Sequence, residues 1–147
     1  MPGIVVGIDG SANARYALEW AVKEAAIKHQ PLTVLTVNEV AASFWSHHPV
    51  PVPADEVLLE TARKEATDLT EKAVAELGES RPASVTVKAV NGFPVEELIS
   101  ASQDADMIVL GSRGVGGFSR LMMGSVTSQV AQHAHCPVLI VPHQDRG

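Results

Sequence analysis

The chain has 147 residues, 46% of them hydrophobic, and its formal net charge is -6. That length and composition suit one compact domain with a real core, and the acidic balance argues against nonspecific binding to nucleic acid. The single cysteine, Cys136, excludes an internal disulfide and favours a reducing compartment. Since the sequence shows neither a signal peptide nor a run of ~20 apolar residues, we expect a cytoplasmic protein with no membrane partner.

The first elements of the chain follow a strand, helix, strand pattern. Ile4–Ile8 is a short β-branched run that predicts a strand buried on both faces. Asp9 and the residues after it end that strand, and Ser11 is a good N-cap for a helix that apolar spacing predicts over about 12–29. Leu32–Val37 is the second predicted strand. This order implies a right-handed crossover between parallel strands.

Residues 38–55 are predicted to form a long loop that contains aromatic side chains and prolines. Prolines at every second position, which are Pro49, Pro51 and Pro53, favour an extended backbone. One interpretation is a flap near a ligand, or a partner contact through Trp45. The other, which we prefer, is a surface connection whose aromatic rings pack against the sheet.

The middle of the chain predicts two helices on either side of a third strand. Apolar residues on one face predict a long helix over about 56–77. The third strand is predicted over about 85–90, and Asn91-Gly92 is predicted to make the turn after it. Pro94 occupies the first position of a short predicted helix, Pro94–Ser102.

The last part of the chain repeats the strand, helix, strand pattern. An apolar fourth strand, Met107–Leu110, precedes a glycine-rich stretch, a helix over about 125–134 and a fifth strand, Pro137–Pro142. Five strands that alternate with four helices predict one α/β domain over 1–147. We expect an open parallel sheet with helices on both faces, similar to a Rossmann fold.

The carboxyl ends of the predicted strands are where we expect a ligand, because α/β sheets of this type bind ligands there. Three residues lie at those ends: Asp9, Val37 and Gly111. The carboxylate of Asp9 is a candidate to accept hydrogen bonds from ribose hydroxyls or to hold a metal near phosphates. The alternative is an aspartate that only caps the turn towards Ser11.

The stretch after the fourth strand has the chemistry of a phosphate site. Its glycines let the backbone approach a ligand closely, and the N–H groups and dipole at the start of the next helix favour an anion. Ser125 and Thr127 add hydroxyl groups, and Arg113 and Arg120 add positive charge in a region, 107–144, that has no Asp or Glu. Alternatively, each arginine is solvated and only raises the local potential.

The spacing of the glycines excludes two common phosphate-binding motifs. A Walker loop ends in Gly-Lys-Ser/Thr, and this stretch has no lysine. The dinucleotide fingerprint needs a third glycine where this chain has Ser119. The pattern present is Gly111, two residues, Gly114, nine residues, then Gly124 and Ser125, and it resembles the ATP-binding loop of the universal stress protein family.

The resemblance to that family covers essentially the whole chain, and three segments carry it: Val5–Ser11, Gly111–Thr127 and Cys136–Pro142. Actinobacterial members look especially similar. The resemblance implies a parallel sheet in the order 3-2-1-4-5, a cytoplasmic protein and a homodimer. We expect the homodimer to form through the last strand, Val138–Val141, because an exposed apolar edge invites pairing.

The resemblance also implies which residues bind ATP, with or without Mg. Asp9 is expected beside the nucleoside, Val37 beside adenine, and the glycine loop around the phosphates. Members that lack the loop glycines do not bind ATP, and this chain keeps all of them. The expected nucleotide-binding set is Gly7, Ile8, Asp9, Val37, Leu110, Gly111, Arg113, Gly114, Gly124, Ser125, Val126 and Thr127.

Three classes of function fit these residues. The one we favour is an ATP-binding regulatory or stress-response protein with little turnover. The alternatives are a slow ATPase or adenylyl-type transferase, and a dimeric interaction module with a vestigial site. The lack of a P-loop lysine and of an obvious water-activating base argues against the enzyme, and the intact glycine loop argues against the vestigial site. Neither the histidines nor Cys136 predicts a metal centre or a nucleophile.

Overall fold

A computed structural model describes residues 3–11, 14–39, 42–45, 48–51, 56–112 and 124–142. Strands and helices alternate along most of these residues. In chain order the elements are β1 (Ile4–Ile8), α1 (Ala14–Lys28), β2 (Pro31–Glu39), β3 (Ala42–Trp45), β4 (His48–Pro51), α2 (Glu56–Ala75), β5 (Ser84–Gly92), α3 (Pro94–Ser102), β6 (Met107–Gly111), α4 (Ser125–His133) and β7 (Val138–Val141).

Five parallel strands form the main sheet in the order β5-β2-β1-β6-β7. Numbered within this sheet alone, the order is 3-2-1-4-5, so the predicted topology is confirmed. β1 lies at the centre, where Ile4 aligns with Leu32 of β2 on one side and with Met107 of β6 on the other. The chain runs outward from β1 to β5 and returns to β6, so the strand order reverses between β1 and β6.

Helices cover both faces of the main sheet, and each face has its own hydrophobic core. α1 and α2 cover one face, where Val6, Leu18 and Val34 are almost completely buried. α3 and α4 cover the other face, where Ile108 and Val130 are fully buried. Because side chains alternate along a strand, the central strands contribute to both cores. This two-sided burial explains why these strands are continuous apolar runs in the sequence.

Local hydrogen bonds fix both ends of α1. The hydroxyl oxygen of Ser11 accepts a hydrogen bond from the N–H of Ala14 at 3.3 Å, so the predicted N-cap is confirmed. At the other end His29 has a φ of 51°, and the N–H of Gln30 donates to the carbonyl of Ala25 at 2.9 Å. A left-handed residue with this hydrogen bond ends a helix as in a Schellman motif. It turns the chain directly into β2.

α2 packs on the sheet through small residues on one of its faces. Ala66, Thr70 and Ala73 are its buried residues. The hydroxyl of Thr70 donates to the carbonyl of Ala66 in the preceding turn at 2.7 Å, so this buried polar group is satisfied within the helix. None of the described helices is long and apolar enough to cross a membrane.

The prediction of an irregular loop over 38–55 is wrong in part, because two short strands form within it. β3 and β4 pair antiparallel, with Trp45 opposite His48. Pro49 and Pro51 lie in β4, and an edge strand tolerates proline where the missing N–H would point away from its partner. The suggested roles of this segment, as a flap or as a partner contact through Trp45, stay predictions.

The predicted turn at Asn91-Gly92 is also wrong, because both residues continue β5. They align with Asn38 and Glu39 at the end of β2, which is itself longer than predicted. The side-chain amide of Asn38 donates a hydrogen bond to Oδ1 of Asn91 at 3.0 Å. The neighbouring strand thus supplies hydrogen-bonding partners that the local Asn-Gly signal does not reveal.

Candidate functional site

The carboxyl edge of the main sheet brings together three residues that the sequence predicted to lie near one another. Asp9 directly follows β1, Val37 lies near the end of β2, and Gly111 ends β6. β1 pairs with both β2 and β6, so these three strands are neighbours. The strand order reverses between β1 and β6, and sheets of this type bind ligands at such a point.

A tight turn holds Asp9 at this edge. Its Oδ1 accepts a hydrogen bond from the N–H of Ser11 at 2.9 Å, and Gly10 between them has a φ of 81°. Glycine adopts this left-handed conformation without steric cost. Asp9 therefore caps the turn, as one of the two interpretations predicted, while its contact with a nucleoside stays a prediction.

Two hydrogen bonds hold the two ends of the glycine-rich segment together, and a third joins this region to β7. The N–H of Gly124 donates to the carbonyl of Ser112 at 2.8 Å, and the hydroxyl of Thr127 donates to the carbonyl of Gly111 at 2.8 Å. The N–H of Ser112 donates to the carbonyl of Val141 in β7 at 2.9 Å. We call Gly111, Ser112, Gly124 and Thr127 the loop stem. The stem fixes the end of β6 against the start of α4.

The amino end of α4 has no side-chain cap among the described residues. Its N-cap residue is Gly124, whose φ and ψ are -64° and 158° and which has no side chain to accept a hydrogen bond. The first turn of α4 carries no acidic residue, and Ser125 at its start is exposed. Unpaired N–H groups and the positive end of a helix dipole favour an anion. The described residues therefore leave this helix end suited to a phosphate.

Several predicted site residues have side chains that are packed in the cores. Ile8 is 7% exposed and Leu110 is 4% exposed, and they lie on opposite faces of the sheet. Val126 packs against the same core as Leu110, and Thr127 is 5% exposed. At these positions a ligand at the carboxyl edge would have to be held by the backbone.

Gly7 allows α3 to approach β1 closely. A Cβ placed on Gly7 would lie 2.9 Å from Cδ2 of Leu110 and 2.9 Å from Cδ2 of Leu98. Such distances are well inside the usual contact between carbon atoms. Gly7 therefore has a packing role, which the sequence pattern did not separate from ligand binding.

Two of the predicted phosphate contacts, Arg113 and Gly114, fall within 113–123, which lies outside the described residues. The same holds for Arg120. Their contacts with phosphate stay predictions from the sequence. The residues on both sides of this segment belong to the loop stem, so its two ends are defined by hydrogen bonds.

Sequence reasoning missed residues whose hydrogen bonds fix elements at both ends of the strands. Ser112 and Val141 connect the loop stem to β7. Both lie in segments that resemble the family, but the sequence predicted no binding role for either. Ser102, which is 1% exposed, donates its hydroxyl to the carbonyl of Ile99 at 2.6 Å and accepts the N–H of His135 at 2.9 Å. It thereby ties α3 to the connection between α4 and β7. The available signal was a small polar residue at the end of an amphipathic helix.

A pocket of about 230 Å³ lies near the amino ends of the strands, away from the carboxyl edge. It opens between the end of α3 and the strands β1, β2 and β5, and its lining includes Val5, Leu35, Lys88 and Asp104. The pocket shares no residue with the loop stem or with the turn at Asp9. Within the described ranges, no group of three or more His, Cys, Asp or Glu residues could hold a metal ion.

Cys136 lies between α4 and β7 and packs partly against the core beneath α3 and α4. Burial raises the pKa of its thiol, the backbone N–H of Ile108 offsets part of that rise, and the carboxylate of Asp106 adds to it. A thiol with a raised pKa is a weaker nucleophile at neutral pH, because less of it is ionised. These surroundings agree with the interpretation of Cys136 as a packing residue.

The strand order, with helices on both faces of the sheet, defines a doubly wound α/β protein. The model of the Universal stress protein family matches residues 2–142 of the chain. A universal stress protein from Mycobacterium bovis is 33% identical over 143 residues, which make up 97% of this chain and 48% of that protein. This chain therefore belongs to the universal stress protein family. It spans about half the length of the curated relatives it matches.

Solved structures with the same fold support this membership. Universal stress protein UspA from Lactobacillus plantarum has a TM-score of 0.75 and 26% identity, with 95% of this chain and 97% of that chain covered. A universal stress protein solved in complex with cAMP has a TM-score of 0.66 and 25% identity, with 96% of each chain covered. The second structure shows that a relative of this chain binds an adenine nucleotide.

Proposed function

We propose that the chain is an ATP-binding protein with a regulatory or stress-response role and little turnover. The observation that carries this proposal is the amino end of α4, which has no side-chain cap among the described residues and which the loop stem holds beside the carboxyl end of β6. Backbone N–H groups at a helix start favour phosphate. The complex of a relative with cAMP supports an adenine nucleotide as the ligand.

The order of the strands agrees with the order of the parts of a nucleotide. Adenine is expected beside the backbone of Val37 in β2, the ribose beside Asp9 after β1, and the phosphates beside Gly111 and the start of α4. β2, β1 and β6 are consecutive neighbours in the sheet, so their ends span about 10 Å. A nucleotide laid across this edge therefore meets each group in sequence. Ser125 and Arg113 add a hydroxyl and a positive charge at the phosphate end.

We also propose that 1–147 acts as one nucleotide-binding domain in the cytoplasm and binds ATP with or without Mg. The single cysteine supports a reducing compartment. Little turnover is expected because the glycine-rich segment has no lysine and the sequence offers no obvious base to activate water. Sustained hydrolysis above about one turnover per second would instead make the protein an enzyme.

The two edges of the main sheet support a homodimer through β7. Among the described strands, β7 pairs with β6 alone, and its residues Leu139 and Ile140 are apolar and half-buried. The opposite edge strand, β5, carries exposed Thr86 and Lys88. Charged side chains on an edge strand oppose pairing with another sheet. A second copy on a two-fold axis would therefore pair antiparallel with β7.

Titration calorimetry with ATP, together with a phosphate-release assay, tests the proposed function. We expect saturable binding without sustained release. ATP should also raise the melting temperature, because a ligand that binds only the folded state stabilises it. Absence of binding at millimolar ATP would contradict the proposal.

The variant Gly114→Val tests the phosphate loop itself. We expect it to lose ATP binding and to keep its fold, because a β-branched residue resists both left-handed backbone angles and close approach to a ligand. Gly78→Val is the matched control, since Gly78 is exposed and a Cβ there meets nothing within 4 Å. If Gly114→Val keeps the full shift in melting temperature with ATP, the phosphates bind elsewhere.

A further inference from the structure

Thr127 differs from the other threonines that lie in helices and have hydrogen-bonded hydroxyls. Thr61, Thr67 and Thr70 each donate to a carbonyl four residues earlier in their own helix. The hydroxyl of Thr127 instead donates at 2.8 Å to the carbonyl of Gly111, sixteen residues earlier and at the end of β6. This hydrogen bond joins a helix to a strand across the entire glycine-rich segment.

The Thr127 side chain is poorly placed to serve as a ligand contact. It is 5% exposed, and its one hydroxyl proton is already donated to Gly111. A hydroxyl has one proton to donate, so binding a phosphate oxygen as donor would break the hydrogen bond to the strand. The neighbouring Ser125, in contrast, is exposed at the start of α4.

The hydrogen bond of Thr127 works with two backbone hydrogen bonds to fix the residues that flank 113–123. Gly124 is bonded to Ser112, and Ser112 is bonded to Val141 of β7. Of the three hydrogen bonds of the loop stem, only the one from Thr127 depends on a side chain. Thr127 is therefore the position where a substitution can open the stem without altering the backbone.

We propose that Thr127 is a positioning residue whose hydroxyl closes the loop stem and so prepares the site for the phosphates of a nucleotide. Its effect on affinity rests on the proposed function, whereas its effect on the stem does not. Holding the end of β6 against α4 fixes the N–H groups of the helix start before a ligand arrives. Groups that are already ordered in the free protein bind a ligand more tightly, because binding then costs less conformational entropy.

Four variants separate the hydroxyl from the shape of the side chain. Thr127→Val keeps the shape and removes the hydroxyl, while Thr127→Ser and Thr127→Ala differ from each other only in the hydroxyl oxygen. Thr70→Val is the matched control, because it removes an equally buried hydroxyl that donates to a backbone carbonyl far from the loop stem. The Ser and Ala pair keeps the test available if the Val variant fails to fold.

The first measurement is amide hydrogen exchange of the nucleotide-free protein. We expect the N–H groups of Gly124 and Ser112 to exchange about tenfold faster in Thr127→Val than in the unaltered protein, the effect of losing one net hydrogen bond. Thr127→Ala should behave like Thr127→Val, and Thr127→Ser should restore slow exchange. Unchanged exchange in both hydroxyl-free variants would overturn the proposal, whether or not the protein binds ATP.

The second measurement is ATP affinity by calorimetry. We expect Thr127→Val and Thr127→Ala to bind about tenfold more weakly, Thr127→Ser to bind close to normally, and Thr70→Val to bind normally despite lower stability. If Thr70→Val weakens ATP binding equally, the effect of the Thr127 variants comes from lower overall stability, and the proposal is overturned. If the unaltered protein does not bind ATP, the proposed function fails, and the exchange measurement still decides the role of Thr127.

Discussion

The hydroxyl of Thr127 and the missing side chain of Gly7 act on the same end of β6. Thr127 holds the carbonyl of Gly111, and Gly7 leaves room for the side chain of Leu110 just before it. Both residues belong to the predicted nucleotide-binding set, yet their observed contacts are with the protein itself. At this edge, single side chains set the position of the backbone.

Replacing Gly7 with alanine should destabilise the protein by about 1 to 3 kcal/mol, the usual effect of overpacking a core. The added Cβ would lie too close to the methyl groups of Leu98 and Leu110, so these buried side chains have to repack within the core. Urea unfolding measures the change in free energy. Gly78→Ala is the control and should change stability by less than about 0.5 kcal/mol. A Gly7→Ala protein as stable as the unaltered one would show that the two leucine side chains repack without cost.

The raised pKa of Cys136 predicts how the reactivity of its thiol depends on pH. Because burial raises that pKa first of all, alkylation by iodoacetamide should follow an apparent pKa above that of the denatured protein, which is about 8.5. The stabilising effect of a neutral thiol is fully present below the unfolded pKa and is lost as the pH rises through the folded pKa. A folded protein whose alkylation follows the denatured profile would contradict this prediction.

At the scale of elements, the two edge strands differ in a way that bears on assembly. β7 presents half-buried apolar residues, whereas β5 exposes Thr86 and Lys88 beside a single exposed apolar residue, Val85. Val138, Leu139 and Val141 contribute to the two cores. Ile140 is therefore the residue of β7 whose substitution should disturb a partner more than the fold.

Replacing Ile140 with aspartate should convert a homodimer into monomers, because a charge at the centre of a paired edge is desolvated without a partner. Light scattering at micromolar concentration measures the mass in solution. Thr86→Asp places the same charge on the opposite edge strand and should leave the dimer intact. An unaltered protein that is monomeric at that concentration would contradict pairing through β7.

At the scale of the whole molecule, the two cores share one sheet. Val5 belongs to the core beneath α3 and α4, and its neighbour Val6 belongs to the core beneath α1 and α2. Neither core can open without disturbing strands whose alternate residues belong to the other core. The chain should therefore behave as one cooperative unit.

Thermal unfolding of the isolated chain should show a single transition, with equal calorimetric and van't Hoff enthalpies after correction for any dimer. Differential scanning calorimetry at several protein concentrations makes the test, because a dimer raises the midpoint as concentration increases. Two separate transitions would show that 1–147 does not act as one domain.

The sequence by itself determined the types and order of the main elements. Each of these follows from signals within a few residues: apolar runs for the strands, helical spacing for the helices, and Ser11 as the cap of α1. The alternation of elements, together with the family resemblance, then led to the strand order and to the carboxyl edge that carries Asp9 and Gly111. These features need no knowledge of distant contacts.

Only the tertiary structure decided what depends on partners far apart in the chain. β2 and β5 extend to Glu39 and Gly92 because each supplies hydrogen-bonding partners to the other, and β3 and β4 likewise form through mutual pairing. The hydroxyl of Thr127 is committed to Gly111 because the fold brings α4 to the end of β6. The sequence shows that Thr127 has a hydroxyl that can donate a hydrogen bond, but the residues around it do not reveal which acceptor it contacts. Its hydrogen-bonding capacity was therefore predictable, and its role in the loop stem was not.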